Sequence, residues 1–242
     1  YEKGTLMGVF AERTAKAYGF TREEQDEFAI RSLTRAKTAI EDGSFKEEIT
    51  PVSFQERKRE TVIEKDEQPL SADLEKIPKL RPAFEKEGTV TAANSSSISD
   101  GAAAIVMMRE SSAKKRGLTP LARIHGHSSF AHSPNLFTTA PIGAIKKLLD
   151  KVGWDKHDVD LFEINEAFAT VTMAAMRDLE LPSQKVNIHG GACALGHPVG
   201  ASGTRIIVTL ISALKKYNKK RGIASLCIGG GEATAMAVEV LP

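Results

Sequence analysis

Cysteine is nearly absent from this 242-residue chain, which carries Cys193 and Cys227 alone. Two thiols that are not spaced as CxxC exclude a disulfide scaffold and suit a reducing compartment, read here as the cytoplasm. Net charge is also scarce. Thirty-three Lys and Arg face 31 Asp and Glu, a formal +2, so no strongly charged partner is implied and nucleic acid is not indicated. Long apolar runs are missing: residues 206–214 form one of the longest, far short of the roughly 20 that cross a bilayer. The start Tyr1-Glu2-Lys3 does not read as a signal peptide. What is present is 41% hydrophobic residues, enough to bury a real core in one or two domains.

Helical periodicity covers residues 7–18 and 21–42. Thr21 with Glu24 makes a capping box, and Gly43 follows as a stop. Residues 44–88 are charged and broken by prolines at 51, 69, 78 and 82. They read as a surface excursion with short strands at 49–54 and 61–63. A buried strand is expected at 89–93, an apolar run at 101–108 and a short helix at 111–117. From residue 121 strands and helices alternate: strands at 121–128, 161–165, 186–189, 223–228 and 233–240, helices at 141–152, 167–179 and 199–217. This pattern predicts an α/β fold, a five-stranded mixed sheet covered by helices on both faces. The tight glycine-rich link before residue 233 makes the last two strands antiparallel.

The chemistry-bearing residues follow strands. Asn165 and Glu166 come after 161–164, His197 after 186–189, and Cys227 where 223–228 ends, so three loops meet at one sheet edge, where ligands collect in open α/β sheets. Taken singly, Cys227 is as readily a small core residue and His197 a structural histidine; together they suit thiol chemistry at a glycine-rich turn. Rival readings fit less well. GHPVGASG lacks the GxGxxG order and a GK[ST]. His125 and His127 share a strand face with no cysteine near, and with His132 they make a poor metal set. The order Asn, His, Cys excludes a papain-like protease.

NEAF (165–168), GGACALGHPVGASG (190–203) and CIGGG (227–231), together with RPAFEKEGTVTAANSSSISDGAAA (81–104), resemble the signature stretches of the thiolase family, in particular its acetyl-CoA acetyltransferases. The resemblance runs over essentially the whole chain. It implies acyl transfer between coenzyme A and a carbon nucleophile through an acyl-cysteine: thiolysis of 3-ketoacyl-CoA, or condensation of two acetyl-CoA. His197 then corresponds to the base for the nucleophilic cysteine and Cys227 to the acid/base cysteine. Asn165 holds an oxyanion-hole water, and the Gly229 N–H contributes to a second hole. Glu166 is read either as a carboxylate shaping its loop or as a direct participant. Met7, Ala83, Phe84, Ala92, Ser96, Phe137, Ala167 and Phe168 fall at positions lining the pantetheine tunnel, with Ser96 as a hydrogen-bonding partner. No metal and no cofactor is expected, coenzyme A and acyl-CoA being substrates, and the complete enzyme is expected to be a homotetramer.

The family's nucleophile matches neither Cys193, read as packing, nor Cys227. The expected organisation is therefore a fragment: residues 1–97 a partial loop domain capping the site, 98–120 the last part of an N-terminal domain, and 121–242 the C-terminal domain. A catalytically inactive coenzyme A-binding half and a ketoacyl-synthase-like enzyme are the alternatives.

Overall fold

The computed structural model describes residues 4–56 and 59–241. Two helices open it. α1 (Met7–Tyr18) ends on Gly19 in the left-handed region, and α2 (Arg22–Glu41) begins with the expected capping box: Thr21 and Glu24 satisfy each other's backbone N–H. The charged excursion contains a hairpin, β1 (Val52–Glu56) with β2 (Arg59–Ile63), then the short helix α3 (Glu67–Ser71). After a long irregular stretch come α4 (Glu110–Lys115), β3 (Ala122–Ala131), α5 (Ala140–Val152), β4 (Leu161–Ile164) and α6 (Ala169–Asp178). The chain closes with α7 (Ala192–Leu195), α8 (Ser202–Lys216), β5 (Arg221–Ile228) and β6 (Glu232–Val240).

The central sheet has four strands rather than five, in the order β3-β6-β5-β4. β4 and β5 are parallel, and β6 is antiparallel to both β5 and β3, so the mixed character and the antiparallel final pair are as expected. The expected fifth strand, 186–189, makes a single bridge, Val186 to Phe162. Side chains take the ladder's place. Asn187, at φ 47°, lends its amide to β4: Ile164 N–H donates to Oδ1 and Nδ2 donates to Ile164 O, both at 2.8 Å. The Val186 carbonyl is taken by Arg35 of α2 at 2.8 Å. The Asn187 N–H goes to Phe162 O and its carbonyl accepts from Gly190, both at 2.9 Å, so the segment satisfies these groups without extending the ladder.

Alternation along the strands divides their side chains between two layers. Phe162, Ile164, Ile223, Ala233, Ala235 and Ala237 face a core shared with Ala144, Ile145 and Leu148 of α5. Leu161, Ala224 and Val238 face Ile206, Leu210 and Leu214 of α8. α1 and α2 pack on the same body, Ala15 and Phe20 joining the α5 core and Phe28 meeting Ala169 of α6 and Cys193.

The buried strand expected at 89–93 is also absent. Its N–H groups are answered by side chains: Glu12 accepts from Thr89 and Val90 at 2.9 and 2.8 Å, and Asn94 Oδ1 accepts from Thr91 at 2.7 Å. Residues 101–109 run without regular structure, with Val106 and Met107 exposed.

Candidate active site

Asn165 stands immediately after β4, where its N–H continues the pairing to Ser225 O at 2.9 Å. The residue is 1% exposed. Its Nδ2 lies 3.4 Å from His197 Nε2, and its Oδ1 is buried without a protein partner among the described residues. A buried amide oxygen left open in this way has room for one more donor, which a water or a substrate group supplies.

His197 is carried by the loop between α7 and α8. Gly196, at φ 84°, makes the turn, and a Cβ there would collide with Ser99 Oγ. The His197 N–H donates to Ser97 O at 3.0 Å, and ring Nδ1 meets the hydroxyl of Ser202, the first residue of α8, at 2.5 Å. The ring is partly buried. Burial, and secondly the positive charge of Arg205, hold its pKa below the ordinary histidine value. A neutral imidazole at pH 7 is a proton acceptor.

Glu166 is fully buried and receives three donors: Ser32 Oγ at 2.7 Å, Asn187 Nδ2 at 2.8 Å and the Cys193 N–H at 3.1 Å. Burial pushes its pKa up, and those donors oppose the shift. Gly191 lies so close that a Cβ would collide with the carboxylate. Of the two readings of Glu166, the contacts match the one that shapes the loop: it clamps the 190–193 turn onto α2 and β4.

Cys227 lies near the end of β5, opposite Ala233. At 8% exposure it belongs to an apolar cluster with Phe10, Val90, Phe137, Ala167 and Phe168, and burial pushes its thiol up to about 12. Among the described residues no hydrogen bond joins Cys227 to His197 or Asn165. The structure thus pairs Asn165 with His197 directly and seats Cys227 in the adjoining aromatic cluster. Cys193 is 1% exposed, its thiol directed at Glu166 O and its pKa driven well above the ordinary value by burial. It is inert packing, as expected from sequence.

Most of the tunnel positions collect around Cys227. Phe84 stacks edge-on against Phe168, with centroids 6.0 Å apart, and Phe137 does the same with Phe10 at 6.2 Å. The Ser96 N–H and hydroxyl both donate to Ala167 O, at 3.1 and 3.0 Å, which leaves the hydroxyl oxygen free to accept. Met7 lies over Gly229, its Cε 3.1 Å from where a Cβ would stand. Ala83 is exposed and bonded through its N–H to Val90 O, while Ala92 opens onto a different cleft, with Leu33, Ile77 and Cys193. A further open cleft of about 380 Å³ begins one residue beyond His197, between 198–201 and 99–103. His125 and His132 are engaged elsewhere, with Glu239 at 2.5 Å and Leu136 O at 2.6 Å.

Sequence reasoning overlooked the polar residues that hold the site. Ser202 lies inside a motif read only for its histidine. Glu163, in a strand buried at all four positions, is 3.8 Å from Arg205, and burial pushes its pKa to about 8. A glutamate in so apolar a strand was the available signal. Glu48 and Asp66 are likewise raised by burial and opposed by Arg205.

Comparison with known proteins places these features in a wider set. Residues 1–111 match the family model described as thiolase, N-terminal domain, and residues 118–240 that described as thiolase, C-terminal domain. An acetyl-CoA acetyltransferase of Escherichia coli is 50% identical over 98% of this chain and 61% of its own length. The crystal structure of a Bacillus anthracis acetyl-CoA acetyltransferase superposes with a TM-score of 0.96 at 47% identity, covering 99% of this chain and 61% of that one. A thiolase of Ascaris suum, solved in complex with coenzyme A, gives 0.89 at 40% identity over 98% and 60%. The chain spans about 60% of the length of these relatives.

Proposed function

The chain belongs to the thiolase family, and from that premise we propose that it supplies the acid–base side of an acetyl-CoA C-acetyltransferase, a 3-ketoacyl-CoA thiolase. The observation that carries this reading is the Asn165–His197 pair, a neutral imidazole whose Nε2 faces an amide with an open buried acceptor.

In thiolysis, His197 Nε2 takes the proton of a nucleophilic cysteine, whose sulfur attacks the 3-keto carbon of the substrate. That cysteine is supplied from the part of the relatives that this chain does not span, since Cys193 is sealed against Glu166. The C2–C3 bond then breaks, and the departing C2 carbanion of acyl-CoA takes the Cys227 proton, which a thiol with a pKa of about 12 retains until a strong base meets it. Coenzyme A then gives its thiol proton to the Cys227 thiolate, its sulfur takes the acyl group from the nucleophilic cysteine, and the released cysteine thiolate recovers its proton from His197. Oxygen charge is held on one side by Asn165, through a water, with His197, and on the other by the Gly229 N–H. Ser96, Phe84, Phe137, Ala167, Phe168 and Met7 line the approach of the pantetheine arm, while Ala83 and Ala92 belong to it by the family resemblance alone. Coenzyme A and acyl-CoA are substrates, and no cofactor takes part.

A homotetrameric assembly follows from the family resemblance. A cytoplasmic location is supported by two free thiols; no described helix is long and apolar enough to cross a membrane.

The test is thiolysis of acetoacetyl-CoA by the chain joined to the segment its relatives carry, followed through thioester absorbance. His197→Ala and Cys227→Ser should each lower kcat by about 10²-fold or more, the scale of general acid–base groups. A Cys227→Ser enzyme with unchanged kcat would leave Cys227 a core residue and refute its part in the mechanism.

A further inference from the structure

The His197 ring has two nitrogens and two neighbours, and its value as a base depends on which nitrogen carries the proton. Nδ1 faces Ser202 Oγ at 2.5 Å and Nε2 faces Asn165 Nδ2 at 3.4 Å. Ser202 is completely buried, so neither contact at Oγ is exchanged with solvent. Its hydroxyl has one hydrogen and a second partner, the carbonyl of Pro198 four residues back, at 3.0 Å. The same carbonyl accepts the N–H groups of Ala201 and Ser202 at 2.8 and 2.9 Å, so the hydroxyl is a third donor converging on it. With its hydrogen directed to that carbonyl, the Ser202 oxygen accepts from Nδ1–H, and the 2.5 Å contact to the ring is the shorter of the two.

We propose that Ser202 is the positioning residue that holds His197 in the Nδ1–H tautomer, keeping the Nε2 lone pair turned toward Asn165 and toward whatever proton arrives there. The inference rests on the reading of His197 as a base but is decided at a different atom. The Asn165 amide completes the arrangement: with an unprotonated Nε2 opposite, it presents Nδ2 as donor and leaves Oδ1 open, as observed. The opposite tautomer would require Ser202 to donate to Nδ1, release Pro198 O and reverse the Asn165 amide. Arg205 lies one turn along α8 from Ser202 and bears on the same ring through its charge, so the N-terminal turn of this helix governs both where the proton sits and how firmly it is held. Other charged groups packed around that turn, Glu163 of β4 with Glu48 and Asp66 of the excursion, bear on Arg205.

Long-range ¹H–¹⁵N correlation spectra of the 242-residue chain, labelled at histidine, read the tautomer directly and need no turnover. The wild type should show His197 with Nδ1 protonated and Nε2 bare. Ser202→Ala should lose that bias, the Nε2–H form becoming detectable, while Ser202→Thr keeps the hydroxyl and restores it. Asn165→Ala should leave the Nδ1 proton in place. The signals of His125 and His189, unchanged, report an intact fold. A wild-type ring with Nδ1 bare, or a folded Ser202→Ala chain whose tautomer is unaltered, overturns the proposal. Should Ser202→Ala fail to fold, the wild-type spectrum and that of Ser202→Thr decide it alone. A thiolase reading that failed in the turnover assay would leave the tautomer result standing, so the two failures are distinguishable.

Discussion

At the scale of single residues, burial separates the two thiols from their surroundings more strongly than sequence suggested. Cys193 at 1% and Cys227 at 8% exposure both have raised pKa values, and the thiolate is the species that alkylates. Iodoacetamide at pH 8 should therefore leave both unmodified in the native chain and label both after unfolding; intact-mass measurement reads the difference, and rapid native labelling of Cys227 would show that its cluster opens. For His197 the sign of the shift fixes the pH behaviour. A base must be neutral, and burial with Arg205 depresses its pKa, so activity lost on acidification disappears only below the ordinary histidine range near 6.5. In the joined enzyme the acidic limb of kcat/KM for thiolysis should lie under that value. Arg205→Leu, by removing the positive charge, should move it upward.

Elements were legible where periodicity and caps agree. The bounds of α1 were read without error, and α2 was found because Thr21, Glu24 and Gly43 mark its ends. Thr21→Ala should destabilise the chain by about 1 kcal/mol, the usual weight of a lost N-cap, as a lower urea midpoint at constant m. Residues 186–189 and 89–93 were misread for one shared reason: apolar composition shows that a segment is buried, but not which partner takes its backbone groups. Arg35 takes the Val186 carbonyl while Asn187 turns its own amide to Ile164, and Glu12 and Asn94 answer the second segment. Asn187→Ala should accordingly cost on the order of 1–3 kcal/mol for each buried group left unpaired. Urea denaturation of that variant, showing a loss of under 0.5 kcal/mol on the order of a surface change, would mean that the amide does not replace the ladder.

On the scale of the molecule, the sequence carried the α/β layering and the motifs, because a two-faced sheet writes itself as alternating buried strands and because three separated motifs in order, two of them glycine-rich, are specific. The count of strands and the clamp by Glu166 were hidden as contacts between positions far apart in the chain, whereas Ser202 stands five residues from His197, inside a motif read only for its histidine. In the proposed mechanism this chain holds a base, an amide and an acid: Cys193 is sealed against Glu166 O, and Cys227, in its apolar cluster, is the proton donor. The acyl-accepting thiol belongs, in the proposed mechanism, to the segment of the relatives that this chain does not span. The most direct measurement is thiolysis of acetoacetyl-CoA by residues 1–242 alone, set beside the same chain joined to the relatives' remaining segment. The first should show no turnover and the second restored turnover; sustained turnover by the 242 residues alone would place the nucleophile within this chain.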